Sequence, residues 1–136
     1  MPIEHRLTTV SGVATSPNYS HAVTVSGRTA FVAGQIALDA DGNLVGPGDV
    51  GAQAAQALAN LHAVVRELGA DWPDVVKFGW FLVDAATGVP AVRAAIEAQV
   101  VPVLGAVRPA STLVAVAGLS RPDLLVEVEA VVALAD

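Results

Sequence analysis

The side chains able to do chemistry are few and unevenly spread. Glu127 and Glu129 stand two apart in Val126-Glu127-Val128-Glu129-Ala130, a spacing that puts both carboxylates on one face of a strand. Two readings fit that placement: a catalytic pair, or solvated and salt-bridged groups on the less buried face. Tyr19 can hold a ligand through its hydroxyl, or act as an interface tyrosine with its ring buried and its hydroxyl bonded once. His21 is of the residue type that can exchange protons near neutral pH, and equally reads as a surface or interface residue. His62 lies among alanines and leucines, where a structural role fits better. The three histidines, His5, His21 and His62, have no metal-ligand spacing. With no cysteine there is no disulfide framework, thiolate nucleophile or thiolate zinc site. No metal and no cofactor are expected.

Bulk composition narrows the partners. Hydrophobic residues make up 54% of the 136 and charged residues 15%, with a mean hydropathy of +0.59. That is more apolar material than a lone small soluble domain carries, since such domains have roughly 25% charged residues. Either a membrane span or burial between subunits could absorb it. A spanning helix needs about 20 nearly uncharged residues, and the longest apolar stretches are interrupted by Arg66 and Glu67, by Lys77 and Asp84, or by Glu127 and Glu129. Burial between subunits is therefore expected, with no membrane partner. A formal charge of -6 and a pI near 4.8 oppose the basic footprint of a nucleic-acid binder. The first residues develop no apolar signal segment, so a cytoplasmic protein acting on a small molecule is expected, as one domain over residues 1–136.

The glutamates are carried by a strand from Leu124 to Leu134. Leu124, Val126, Val128, Ala130 and Val132 share its other face, where helices should pack. Thr112 to Ala117 reads as another strand. Val75 to Val83 is apolar at odd and even positions alike, except Lys77 and Gly79, as a central strand covered on both faces is. Residues 3 to 8, Ala22 to Val25 and Thr29 to Ala33 read as an antiparallel start, with Gly27 able to take the positive φ of a tight turn. Asp49 should cap a helix from Val50 to Leu68, closed by Gly69. A second helix is predicted from about Thr87, its candidate cap, with Pro90 in the first turn, to Val101, where Pro102 stops it. Its buried stripe would be Val89, Val92, Ile96 and Val100. The expected fold is α+β: one mixed sheet with two helices on one face. Two helices cover one side only, so the second side should meet a neighbouring subunit.

These elements, and the strings SPNYSHAV at 16 to 23, FVAGQI at 31 to 36, DVVKFGWFLVD at 74 to 84, RPASTLVAVAGL from 108 and LVEVEAV up to 131, resemble the Rid family, also called YjgF or RidA. The resemblance runs from about Thr15 to Leu134. It implies a homotrimer of chorismate-mutase-like α+β subunits that binds small molecules in interfacial clefts and hydrolyses reactive enamines and imines. In deaminating members an arginine forks onto the substrate carboxylate, a glutamate activates the attacking water, and a tyrosine and a backbone glycine hold the ligand. By resemblance, Tyr19, Gly34 and Glu127 take the tyrosine, glycine and glutamate roles.

One departure decides the chemistry. Where the family writes proline, alanine, arginine, this chain has Pro109, Ala110, Ser111. Arg108, three positions before Ser111, has the opposite strand parity and is a poor replacement. Arg93 stands on the second helix where better-known members carry an asparagine bordering the cleft. It is either a relocated ligand cation or the partner of Glu97, four residues on. Losing a charge-assisted contact removes about 1.5 to 3 kcal/mol per hydrogen bond. Activity on ordinary 2-iminoacids is therefore expected to be weak or absent, with a different imine as substrate. The alternative is a non-catalytic trimer that binds a ligand or partner. The ribonuclease label attached to this family gains no support from the acidic composition or from any histidine pair suited to RNA cleavage.

Overall fold

In a computed structural model describing residues 2–135, six strands and two long helices form the α+β fold expected from the sequence. The chain runs β1 (Ile3–Leu7), β2 (Ala22–Val25), β3 (Thr29–Gln35), α1 (Val50–Glu67), a 3-10 turn (Trp72–Asp74), β4 (Val75–Leu82), α2 (Ala85–Gln99), the short α3 (Val101–Leu104), β5 (Ala110–Ala115) and β6 (Val126–Ala133). The main sheet is mixed, in the order β3-β6-β4-β5, with β4 and β5 parallel and the other pairs antiparallel. β1 and β2 form a separate two-stranded antiparallel ribbon. Gly27 does take a positive φ, 81°, but the strands either side of it part company: β2 pairs with β1 and β3 with β6. A tight turn between strands does not by itself make them partners.

Helix α1 begins and ends where its residues demand. The Asp49 carboxylate accepts from the Ala52 amide at 3.0 Å, and Gly69 follows the C-cap Leu68 with φ 80°. The buried face of α1, built on Ala54, Ala57, Leu58, Leu61 and Val65, lies over β6 and β3. On β6 the alternation holds: Val126, Val128, Ala130 and Val132 are buried under the helices, and Glu127 and Glu129 point the other way. Gln53, fully buried in α1, donates to the carbonyls of Gly46 and Asp123 and accepts from the Leu125 amide, so the start of β6 is pinned to the helix.

Helix α2 corrects two expectations. Its cap is Asp84, whose carboxylate accepts from the Thr87 amide and hydroxyl; the helix starts at Ala85, two residues before Thr87, and Pro90 lies inside it. The buried residues of the helix are Gly88, Ala91, Val92 and Ala95, small groups that allow close packing, and its main neighbour is α1. Val89 and Ile96 are only half-buried and line a cleft together with Val92 and Val100. The apolar periodicity was therefore real, but its four residues line a cleft, and the buried positions beside them are the small Gly88, Ala91 and Ala95. No helix among the described residues is long and apolar enough to cross a membrane.

Candidate functional site

Because α1 sits over β6 and β3 while α2 leans mainly on α1, the outer half of the sheet is left partly uncovered on the helical side. A cleft of about 450 Å³ opens there. Its floor is Phe78 and Trp80 of β4, and its walls are Val89, Val92, Ile96 and Val100 of the α2 segment and Ser111 and Leu113 of β5. Register places these strand residues together: Phe78 lies beside Ser111 and Trp80 beside Leu113, on one face. Asn18, Tyr19, Arg93, Glu97, Arg108 and Pro109 complete the lining.

Tyr19 is brought to this cleft by its neighbour. Ser20 is 2% exposed; its amide donates to the Pro109 carbonyl at 3.0 Å and its hydroxyl to the Arg108 carbonyl at 2.6 Å. Those bonds fasten the loop before β2 to the segment entering β5. The Tyr19 ring meets His21 edge-on, with centroids 5.5 Å apart. His21 Nε2 donates to the Ala14 carbonyl at 2.9 Å and does not line the cleft, so its role there is to hold the loop.

Two cations border the cleft, in different states. Arg93 is exposed and, among the described residues, has no ion pair or side-chain hydrogen bond; the pairing with Glu97 weighed above does not form. Arg108 also reaches the cleft, contrary to the parity argument, because it precedes β5 and strand alternation does not govern it. Its guanidinium is occupied, donating to the carbonyls of Gly105 and Val107.

Glu127 and Gly34 lie elsewhere. Glu127 is beside Phe81 in the register, on the face away from the helices, whereas Ser111 is beside Phe78 on the helical face. The pairing of β3 with β6 is irregular between Val32 and Gln35, and the Glu127 side chain occupies the space above Gly34. A Cβ on Gly34 would come within 2.1 Å of the Glu127 carboxylate. Gly79 plays the same part for Glu129, whose Cγ would be 2.8 Å from an added Cβ. One chain thus holds the candidate residues as two separate groups: Tyr19, Arg93 and Ser111 in the cleft, Gly34 and Glu127 on the opposite face. Among the described residues no cluster of three metal-ligating side chains occurs.

The remaining singled-out residues are structural. His62 bonds Asp71 at 2.7 Å and stacks on Trp72, which is wholly buried. Trp80 belongs to the core as well as to the cleft floor, and Phe81 is half-buried on the outer face. Phe78 and Leu113 were not singled out as site residues. Their signal was available only through pairing, since each lines the cleft by standing next to Ser111 or Trp80.

A mixed sheet flanked on one side by helices, with a partly apolar cleft at its outer strands, matches one family along nearly the whole chain. The model described as endoribonuclease L-PSP matches residues 9–134, and the chain belongs to that family, the YjgF/RidA or Rid group. The RutC family protein slr0709 of Synechocystis sp. is 42% identical over 117 residues, 85% of each chain. The 2-iminobutanoate/2-iminopropanoate deaminase of Rattus norvegicus is 42% identical over 66 residues, 48% of this chain and 47% of the relative. Among solved structures, a Rid family protein of unknown function, YyfB from Yersinia pestis, superposes with a TM-score of 0.86 at 37% identity, covering 98% of this chain and 100% of that one.

Proposed function

We propose that this chain forms a homotrimer in the cytoplasm, and that clefts between its subunits bind and hydrolyse a small reactive imine or enamine other than the ordinary 2-iminoacids. The observation that carries the reading is the division of the candidate residues between opposite faces of one sheet. Neither group holds the whole set: the cleft gathers Tyr19, Arg93 and Ser111, and Glu127 and Gly34 do not line it. A second copy, laid with its Glu127 face against the cleft of the first, completes the set.

In the completed site Arg93, free of other partners, meets the anionic or electron-rich end of the ligand. Tyr19 contributes its hydroxyl. Glu127 takes a proton from the water that attacks the imine carbon, and the absent side chain at Gly34 leaves room for that carboxylate. Ser111 cannot make the two-pronged contact of an arginine, which lowers affinity for small 2-iminoacids. The same serine favours a second reading, a trimer that binds ligand without turnover.

Ammonia release from freshly generated 2-aminoacrylate and from uncharged imines separates the readings. Hydrolysis predicts release from uncharged imines, weak release from 2-aminoacrylate, and a drop of about 10²- to 10⁴-fold in Glu127→Gln. Ser111→Arg is expected to strengthen binding of pyruvate and 2-oxobutyrate without altering the fold; equal affinities would place Ser111 away from the ligand. Silence toward both imine classes overturns hydrolysis in favour of binding.

A further inference from the structure

Resting on the assignment of Tyr19 to the cleft, we infer that Ser20 is a positioning residue of that site: its amide and hydroxyl form a two-point clamp that fixes the direction in which Tyr19 projects. Ser20 and Gln53 are the buried polar side chains among the described residues, and Gln53 is taken up in pinning β6 to α1. Ser20 ends a run, residues 11–19, that is exposed throughout except for the half-buried Ser16. Burial therefore does not hold Tyr19, and hydrogen bonds must. Among the described residues, the other bonds of this stretch stay within the N-terminal part of the chain: Val13 to Val10, Asn18 to Ser16, and His21 to Leu7 and Ala14. Only Ser20 reaches across to the segment entering β5, donating from its amide to the Pro109 carbonyl and from its hydroxyl to the Arg108 carbonyl.

A single hydrogen bond leaves its donor segment free to rotate about it. Two, given by one residue to consecutive carbonyls at 3.0 and 2.6 Å, fix the plane of the peptide that joins Tyr19 to Ser20. The receiving end is itself anchored, because Pro109 is buried and the Arg108 guanidinium is tied back to the carbonyls of Gly105 and Val107. Two residues past Pro109 the chain presents Ser111 to the same cleft, so the clamp sets Tyr19 against Ser111. Deleting the hydroxyl spares the fold: the Arg108 carbonyl also accepts from Arg6, at 3.4 Å, and the Ser20 amide keeps its bond to Pro109. No buried acceptor is orphaned, which is the costly outcome of removing a donor. The loss falls on the direction of Tyr19.

Tyr19 is the single tyrosine of the chain, so 3-fluorotyrosine incorporated into the intact protein reports on this side chain alone by fluorine NMR. The native chain should give one narrow resonance, Ser20→Ala a shifted and broadened or split one, and Ser20→Thr, which keeps the hydroxyl, the native line. If Ser20→Ala does not fold, Ser20→Cys, with its weaker donor, replaces it in every comparison. A role in folding alone predicts a lower melting temperature with an unchanged fluorine line. That result, or a Ser20→Thr spectrum matching that of Ser20→Ala, overturns the inference. Ammonia release gives the functional arm, on whichever imine class the native chain hydrolyses, 2-aminoacrylate or uncharged imines. Ser20→Ala should lower kcat about three- to tenfold, the contribution of one neutral hydrogen bond, and should add nothing in a Tyr19→Phe background. Equal losses in both backgrounds overturn the inference as well. No hydrolysis by the native chain refutes the hydrolytic reading alone, and the fluorine line still decides the clamp; hydrolysis undiminished by Ser20→Ala refutes the clamp alone.

Discussion

Among the described residues Asp71 concentrates more interactions than any other acidic side chain. It accepts from His62 at 2.7 Å, from Arg66 at 3.1 Å and from the Trp72 amide at 2.8 Å, while its own amide donates to Asp74. The hydrogen bond from His62, aided by the Trp72 amide and by the nearby Arg66 guanidinium, holds its carboxyl below the ordinary value of 3.8 despite some desolvation. A carboxylate depressed in the folded state stabilises the fold above its unfolded pKa, and that contribution disappears as pH falls through the folded value. With the side chain 38% exposed, solvent screening keeps the effect modest. Asp71→Asn should therefore lose a little stability at neutral pH and lose less than the native chain on acidification below about pH 4. Urea midpoints from pH 7 to pH 2.5 measure this; parallel curves would show that the pairing contributes nothing. The His62 ring, stacked on Trp72 at 4.3 Å, closes the same corner of the core.

At the scale of elements, the position of α2 determines the width of the cleft. The helix approaches β4 at Gly88, where an added Cβ would lie 2.9 Å from Leu82 Cδ1. Leu82 is fully buried, so it has little room to withdraw. Gly88→Val should cost about 1 to 3 kcal/mol by overpacking, and should push the first turns of α2, with Val89 and Val92, away from the sheet. Thermal or urea unfolding gives the first effect, and altered affinity for 2-oxobutyrate gives the second. An unchanged melting temperature would mean that the helix is not seated at Gly88.

For the whole molecule, the two faces of the sheet have different fates. The helical face is covered by α1 and, less fully, by α2. The other presents Phe31 at 81% exposed and Val114 at 41%, with Phe81 and Val131 half-buried beside Glu127 and Glu129. An apolar face of this kind, edged by carboxylates, suits burial against further copies of the chain. Phe31→Asp should dissociate the proposed trimer, since an unpaired charge buried at an interface costs several kcal/mol, while leaving far-ultraviolet circular dichroism unchanged. Sedimentation velocity reads the mass directly. A trimer that survives the substitution would move the interface elsewhere.

Much of this architecture was legible in local sequence because it depends on local periodicity. The two-residue alternation of β6 separates Val126, Val128, Ala130 and Val132 from Glu127 and Glu129, and Asp49 and Gly69 bracket α1 through their own hydrogen bonding and dihedral freedom. The family strings likewise belong to the chain alone. Tertiary structure decided whatever depends on relations between elements. Alternation within β5 and within β6 cannot say that Ser111 and Glu127 face opposite ways, since that follows from how both strands register on β4. Strand parity did not govern Arg108 because the strand begins after it, and the apolar stripe of α2 proved to line a cleft because the helix leans mainly on α1 and not on the sheet. Sequence by itself determines the alternation and the caps, whose physics spans a few residues. Register, helix seating and the separation of the site into two groups arise from contacts between distant segments, and only the folded chain decides them.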